Sequence, residues 1–266
     1  MTPNSQFALT PIGLRHKALV NSVAGGTRVV RKDGLWERQT QEGHLLARVH
    51  RVDLAAFVAP QAAETEWLSR ADWEIVAGDV IESFDTTWQV PPPPTSQDEQ
   101  TLFLFNSLMP ADSAHILQPV LQWGPSASPG GGKHWCIASW WVGGPNDPLF
   151  ITELIPVNPG DVLMGRMALA FADEGLYEYS CEFVGVPATR LVAGNLPALT
   201  ICSEVLEVGQ VQWANDYPPI RATSMTRINI ATQNNARVTW TSGGRSPPTI
   251  VLDSGANGQV DIIYPT

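Results

Sequence analysis

The sequence predicts an all-β protein built as an antiparallel sandwich or barrel, and three observations carry that prediction. Hydrophobic residues make up 44% and charged residues 16% of the 266 positions, with 22 Gly and 22 Pro, a balance that suits many short strands joined by tight turns. Apolar and β-branched runs recur at short intervals between clusters of Gly, Pro, Asn and Asp. No helical pattern of useful length interrupts them, which argues against parallel βαβ units.

The strand signals begin at residue 80. "VIESFDTTWQV" (80–90) reads as a strand, "PPPPTSQDEQ" (91–100) as an extended loop, and "TLFLFNSL" (101–108) as a buried strand. Four consecutive prolines have no N–H groups to give to a ladder, so that loop lies outside any sheet interior. Further strands are expected in "HILQPVLQWG", "HWCIASWWV", "DVLMGRMALAF", "LYEYSCEFVG", "LTICSEVLEV", "MTRINIA", "ARVTWT", "TIVLD" and "QVDIIYP". In "LYEYSCEF" Tyr177, Tyr179, Cys181 and Phe183 alternate with Glu178, Ser180 and Glu182, the pattern of a strand with one wet face. Ahead of the strand series, "TEWLSRADWEIV" (65–76) is expected to be a short helical turn leading into the main domain.

Charge divides the chain. Residues 1–60 hold eight Lys and Arg against four acids, net +4, and the remainder holds eight against 22, net −14. The expected organisation is therefore a basic N-terminal segment over residues 1–75, in the position of a propeptide, followed by a β-sandwich domain over 76–266. An acidic main domain repels phosphate, which excludes nucleic acid as a partner. No run reaches the 18 apolar residues of a membrane helix, and no secretory signal is visible at the start. The expected location is outside the cell if a leader has been removed, and the cytoplasm otherwise. Cys136, Cys181 and Cys202 are odd in number and far apart, and His16, His44, His50, His115 and His134 show no ligand spacing. Neither a disulfide framework nor a metal or other cofactor is expected.

Two apparent motifs dissolve on inspection. "GGGKH" lacks the first Gly and the terminal Ser or Thr of a phosphate-binding loop. "DSGANGQVD" lacks the terminal Glu of a calcium loop and reads as a hairpin turn.

The chemistry-bearing region is "ILQPVLQW". A period of two sets Ile116, Gln118, Val120 and Gln122 on one face and Leu117, Leu121 and Trp123 on the other. Ten tryptophans are many for this length, and Trp88, Trp140 and Trp141 fall in expected strands. A sheet face bearing Trp and amides suits an extended polymer, a peptide or a polysaccharide: rings supply contact area and amides orient polar groups.

The order of "FDTTWQVPPPP", "FLFNSL", "ILQPVLQWG", "ASWWV", "VNPGDVL", "SEVLEV" and "VQWANDYPP" resembles the glutamic peptidase (eqolisin) family over residues 81–219. The resemblance implies a two-sheet concanavalin-A-like jelly-roll sandwich and peptide hydrolysis in acid by a Gln and a Glu on the concave sheet. Gln118 matches the family glutamine. Glu207 matches the family glutamate, with Glu204 as the second choice, because one residue is missing between the two acids. In a regular strand they point to opposite faces, so only one can join Gln118. Where the family carries acids near its site, this chain has Asn106, Gln122 and Val142. Asn106, Gln122, Trp140, Trp141 and Trp88 are the expected substrate contacts. The competing expectation is a non-catalytic jelly-roll module that binds a carbohydrate or peptide, since such folds host lectins and enzymes alike.

Overall fold

The computed structural model describes residues 6–11, 13–50, 65–96, 98–144, 146–245 and 249–265. Residues 51–64 of the expected N-terminal segment lie outside the described residues. The chain forms an antiparallel two-sheet jelly-roll sandwich, as the strand patterns require.

The first sheet runs in the order β19 (Thr241–Gly244), β7 (Glu66–Glu74), β17 (Ile201–Gly209), β9 (Thr101–Met109), β10 (Ile116–Gly124), β11 (Gly132–Val142), β12 (Leu149–Thr152) and β3 (Val20–Val23), with β13 (Ile155–Pro156) also on β11. The second runs β20 (Ile250–Asp253), β21 (Gly258–Ile263), β18 (Ala222–Thr232), β8 (Ile81–Gln89), β14 (Val162–Asp173), β15 (Leu176–Phe183), β16 (Leu191–Leu196), β4 (Thr27–Lys32), β5 (Leu35–Gln39) and β6 (Leu45–Val49). A separate hairpin joins β1 (Phe7–Thr10) to β2 (Gly13–His16).

Among the described residues all strand pairings are antiparallel but two. β3 lies parallel to β12 and β4 parallel to β16, so consecutive strands of the N-terminal stretch extend different sheets. β7, also ahead of residue 76, is bonded on both sides, to β17 and β19.

The core lies between the sheets. Leu104, Leu117, Leu121, Trp141 and Leu206 of the first sheet meet Phe84, Trp88, Met167, Tyr179 and Phe183 of the second in one buried cluster. Each such side chain contributes about 1.5–3 kcal/mol by leaving water. The sheets approach closely at Gly165, where an added Cβ would lie 2.6 Å from Asn106 Oδ1 and 2.9 Å from Trp88. Gly124 ends β10 at φ +98, and a Cβ there would meet Gln100 O at 2.2 Å, so only glycine serves.

Two sequence expectations are corrected. Residues 66–74 form a strand and not a helical turn, because Ala71 and Trp73 enter the core while Arg70, Asp72 and Glu74 face outward, a period of two. Residues 236–240 carry no strand: Trp240 is held in the core 6.0 Å from Phe84, and pairing starts only at Thr241. Among the described residues no helix is long and apolar enough to cross a membrane.

Candidate functional site

The first sheet buries both faces. Away from the second sheet, Phe103, Phe105, Ile116, Val120, Trp140 and Val205 form a second apolar cluster, and the alternation of β9, β10, β11 and β17 sends polar side chains out among them. Registers sort this outer face into rows. Asp72, Ser203, Ser107, Gln118 and Trp140 form one. Arg70, Val205, Phe105, Val120 and Ala138 form the next. Trp67, Glu207, Phe103, Gln122 and Cys136 form a third.

Gln118, Gln122, Glu207 and Trp140 thus share the outer face. Glu204, Asn106, Trp88 and Trp141 lie on the inner side, sealed between the sheets, because the period of two that turns Trp140 outward turns Trp141 inward. Trp141 packs against Trp36 and stacks on His115 at 5.3 Å, and Trp88 sits 5.7 Å from Phe183.

Gln118 and Glu207 do not meet. Their rows are four residues apart along the strands, about 13 Å, and two strand spacings across, about 10 Å. Gln122 is the amide in the row of Glu207, with Phe103 between them.

All these groups are withdrawn from water, and their hydrogen bonding differs. Glu207 accepts from Trp67 Nε1 at 3.0 Å. β2 brings Arg15 toward it: burial lowers the Arg15 pKa, and the Glu207 charge opposes that shift. Gln122 Nε2 donates to Pro125 O at 3.3 Å. Among the described residues, neither Gln118 Oε1 nor Nε2 has a partner, nor does Ser107 Oγ beside it, although a buried polar group without one is costly. Ser203 Oγ donates to Asp72 Oδ1 at 2.7 Å.

On the inner side Glu204 accepts a short hydrogen bond from Thr86 Oγ1. Desolvation raises its pKa well above the ordinary glutamate range, with the Thr86 bond opposing, so burial favours the protonated carboxyl. Its Oε2 and Asn106 Oδ1 both lack partners and belong to residues directly opposite in register.

Sequence reasoning missed Trp67, Arg70, Asp72, Ser107 and Ser203, all on the outer face. The alternation of Arg70, Asp72 and Glu74 with Ala71 and Trp73 was the signal that could have found three of its charged groups.

No family model and no curated protein matches this chain. Solved structures of similar architecture include scytalido-glutamic peptidase with a transition state analog inhibitor, 13% identical over 77% of this chain and 100% of that one, at TM-score 0.45. SCP-B, a member of the eqolisin family, in complex with the tripeptide Ala-Ile-His, is 12% identical over 74% and 98%, at TM-score 0.41. The carbohydrate binding module CBM66 from Bacillus subtilis is 9% identical over 72% and 96%, at TM-score 0.25. The chemistry available to the outer face rests on its own residues.

Proposed function

We propose that the outer face of the first sheet takes an extended peptide and that the protein is a glutamic-peptidase-like hydrolase acting in acid, with Glu207 as its proton-transfer group. The observation that carries this reading is the sorting of side chains by face: Glu207, Gln122 and Gln118 point the same way, while Glu204 points into the core. In this reading Glu207 takes a proton from water as its oxygen attacks the peptide carbonyl carbon, and returns it to the nitrogen as the C–N bond breaks. An amide N–H of Gln122, in the same row, stabilises the oxyanion. Gln118, two rows further on with both amide atoms open, orients the peptide.

The spacing of Gln118 and Glu207 favours a second reading, a binding module without turnover: about 13 Å along the strands is beyond the reach of one shared water. Cleavage of a denatured protein substrate by the full chain between pH 2 and pH 7 separates the two. The hydrolase reading expects cleavage in acid and a drop of at least about a hundredfold for Glu207→Gln, which keeps size and hydrogen bonding but removes the proton acceptor. Intact substrate across the range, with peptide still retained, leaves the module.

A further inference from the structure

On the same outer face, at the end away from Gln122, a cavity of about 710 Å³ is lined by Trp67, Arg70, Asp72, Met109, Ile116 and Ile201. We infer that it is a receptor for the C-terminal residue of a peptide, with Arg70 holding the carboxylate and Met109, Ile116 and Ile201 the apolar side chain. This rests on the peptide reading of the face and names the end of the peptide it takes.

The argument is the preparation of Arg70. Its Nε lies 3.0 Å from Asp72 Oδ2, and Asp72 is itself fixed by the 2.7 Å bond from Ser203 Oγ. The guanidinium carbon lies 5.7 Å from the centroid of the Trp67 ring, within cation–π range. Gly243 stands opposite Arg70 in register, and a Cβ there would approach Arg70 Nε to 3.0 Å and Cγ to 3.3 Å. The side chain is thus held by an acid and a ring, with a glycine leaving it room. Among the described residues neither Nη group makes a hydrogen bond, and the side chain is 44% exposed.

An oriented guanidinium with two open terminal nitrogens matches the two oxygens of a carboxylate. The volume lies within the range of small-ligand sites. The chain as a whole carries −10, so its overall field does not gather anions, and a carboxylate here must be recognised locally. Glu74 lines the same cavity and repels a carboxylate from its side, leaving Arg70 as the place for it. The Arg70–Asp72 pair is neutral as a unit, so recognition depends on the geometry of the fork rather than on net charge.

The test is calorimetric titration of the full chain at neutral pH with three probes. These are N-acetyl-Ala-Leu with a free carboxylate, the same peptide as its C-terminal amide, and an amidated peptide with an internal Glu. The free acid is expected to bind at least about tenfold more tightly than either blocked peptide, since a site built for a carboxylate leaves donors unpaired when it is absent. Arg70→Gln should erase the preference and keep the weaker affinity for the amide; Arg70→Lys, with a point charge in place of the fork, should keep part of it. Equal binding of acid and amide by the wild-type chain, or a preference that survives Arg70→Gln, overturns the proposal. Tighter binding of the internal Glu peptide than of the free acid overturns the chain-end assignment. No turnover enters the measurement, so absent hydrolysis defeats the peptidase reading alone.

Discussion

On the inner side of the first sheet, Ser139 Oγ donates to Cys181 O at 3.2 Å, Asn106 Nδ2 to Gly165 O at 3.4 Å and Thr86 Oγ1 to Glu204, each bond crossing from one sheet to the other. On the outer side, equally buried, Gln118 has neither amide atom paired and Ser107 Oγ is open beside it. These inner polar groups bond the sheets to each other. Gln118 and Ser107 have no such use within the fold. Buried polar groups that serve no packing role are expected where a ligand completes them, so the contrast separates what holds the sandwich together from what it presents.

The largest effect should come where the sheets are closest. Gly165→Ala would put a Cβ 2.6 Å from Asn106 Oδ1 and 2.7 Å from Pro119 Cγ, and neither neighbour has room to retreat inside the core. A loss of about 1–3 kcal/mol is expected from overpacking, read as a lowered denaturation midpoint. An unchanged midpoint would mean that the inner face is more open than its bonding implies.

Glu204 gives the next effect, and its sign is fixed by the direction of its shift. The folded-state pKa lies above the unfolded value. Its contribution is therefore fully present below the ordinary glutamate pKa and is lost as pH rises through the folded-state value. Between the two, stability should fall by about 1.4 kcal/mol per pH unit from this group. Glu204→Gln keeps an acceptor for Thr86 but does not titrate. The urea midpoint of this variant should vary less with pH above the glutamate range than that of the wild-type chain; equal slopes would assign the pH dependence elsewhere.

Much of the sandwich was legible because its strands announce themselves by composition and turns. β8, β9, β10, β11, β14, β15 and β17 fall where the patterns put them. What escaped was structure fixed by distant partners. β7 carries Trp, Leu and charged residues that suit a helix locally, and only its place between β17 and β19 makes it a strand. The parallel pairings of β3 and β4 follow from no local signal. At the candidate site, parity along each strand set Gln118 with Gln122 and put Glu204 and Glu207 on opposite faces, but did not fix which of the two acids joins the amides. The row offset between Gln118 and Glu207 was not legible, because it depends on the register across β9. The charged cavity around Arg70 was hidden by the same misreading that made β7 a helix.

The smallest effect on stability, and the sharpest on function, is expected at Gln118. Replacing it by Leu keeps the volume nearly unchanged and removes a buried amide with no partner to lose. The folded chain should be unaffected or more stable by up to about 1 kcal/mol, because leaving a polar group unpaired is what costs. Asn106→Leu is the matched change on the inner side: it removes the inter-sheet bond to Gly165 O, so it should destabilise by about 1–3 kcal/mol. Denaturation midpoints of the two variants, measured beside peptide affinity by calorimetry, read both quantities. If Gln118 serves a ligand, Gln118→Leu weakens peptide binding while holding or raising the midpoint, and Asn106→Leu lowers the midpoint. Equal destabilisation by the two changes would place Gln118 among the groups that hold the fold, and the distinction between the faces would fail.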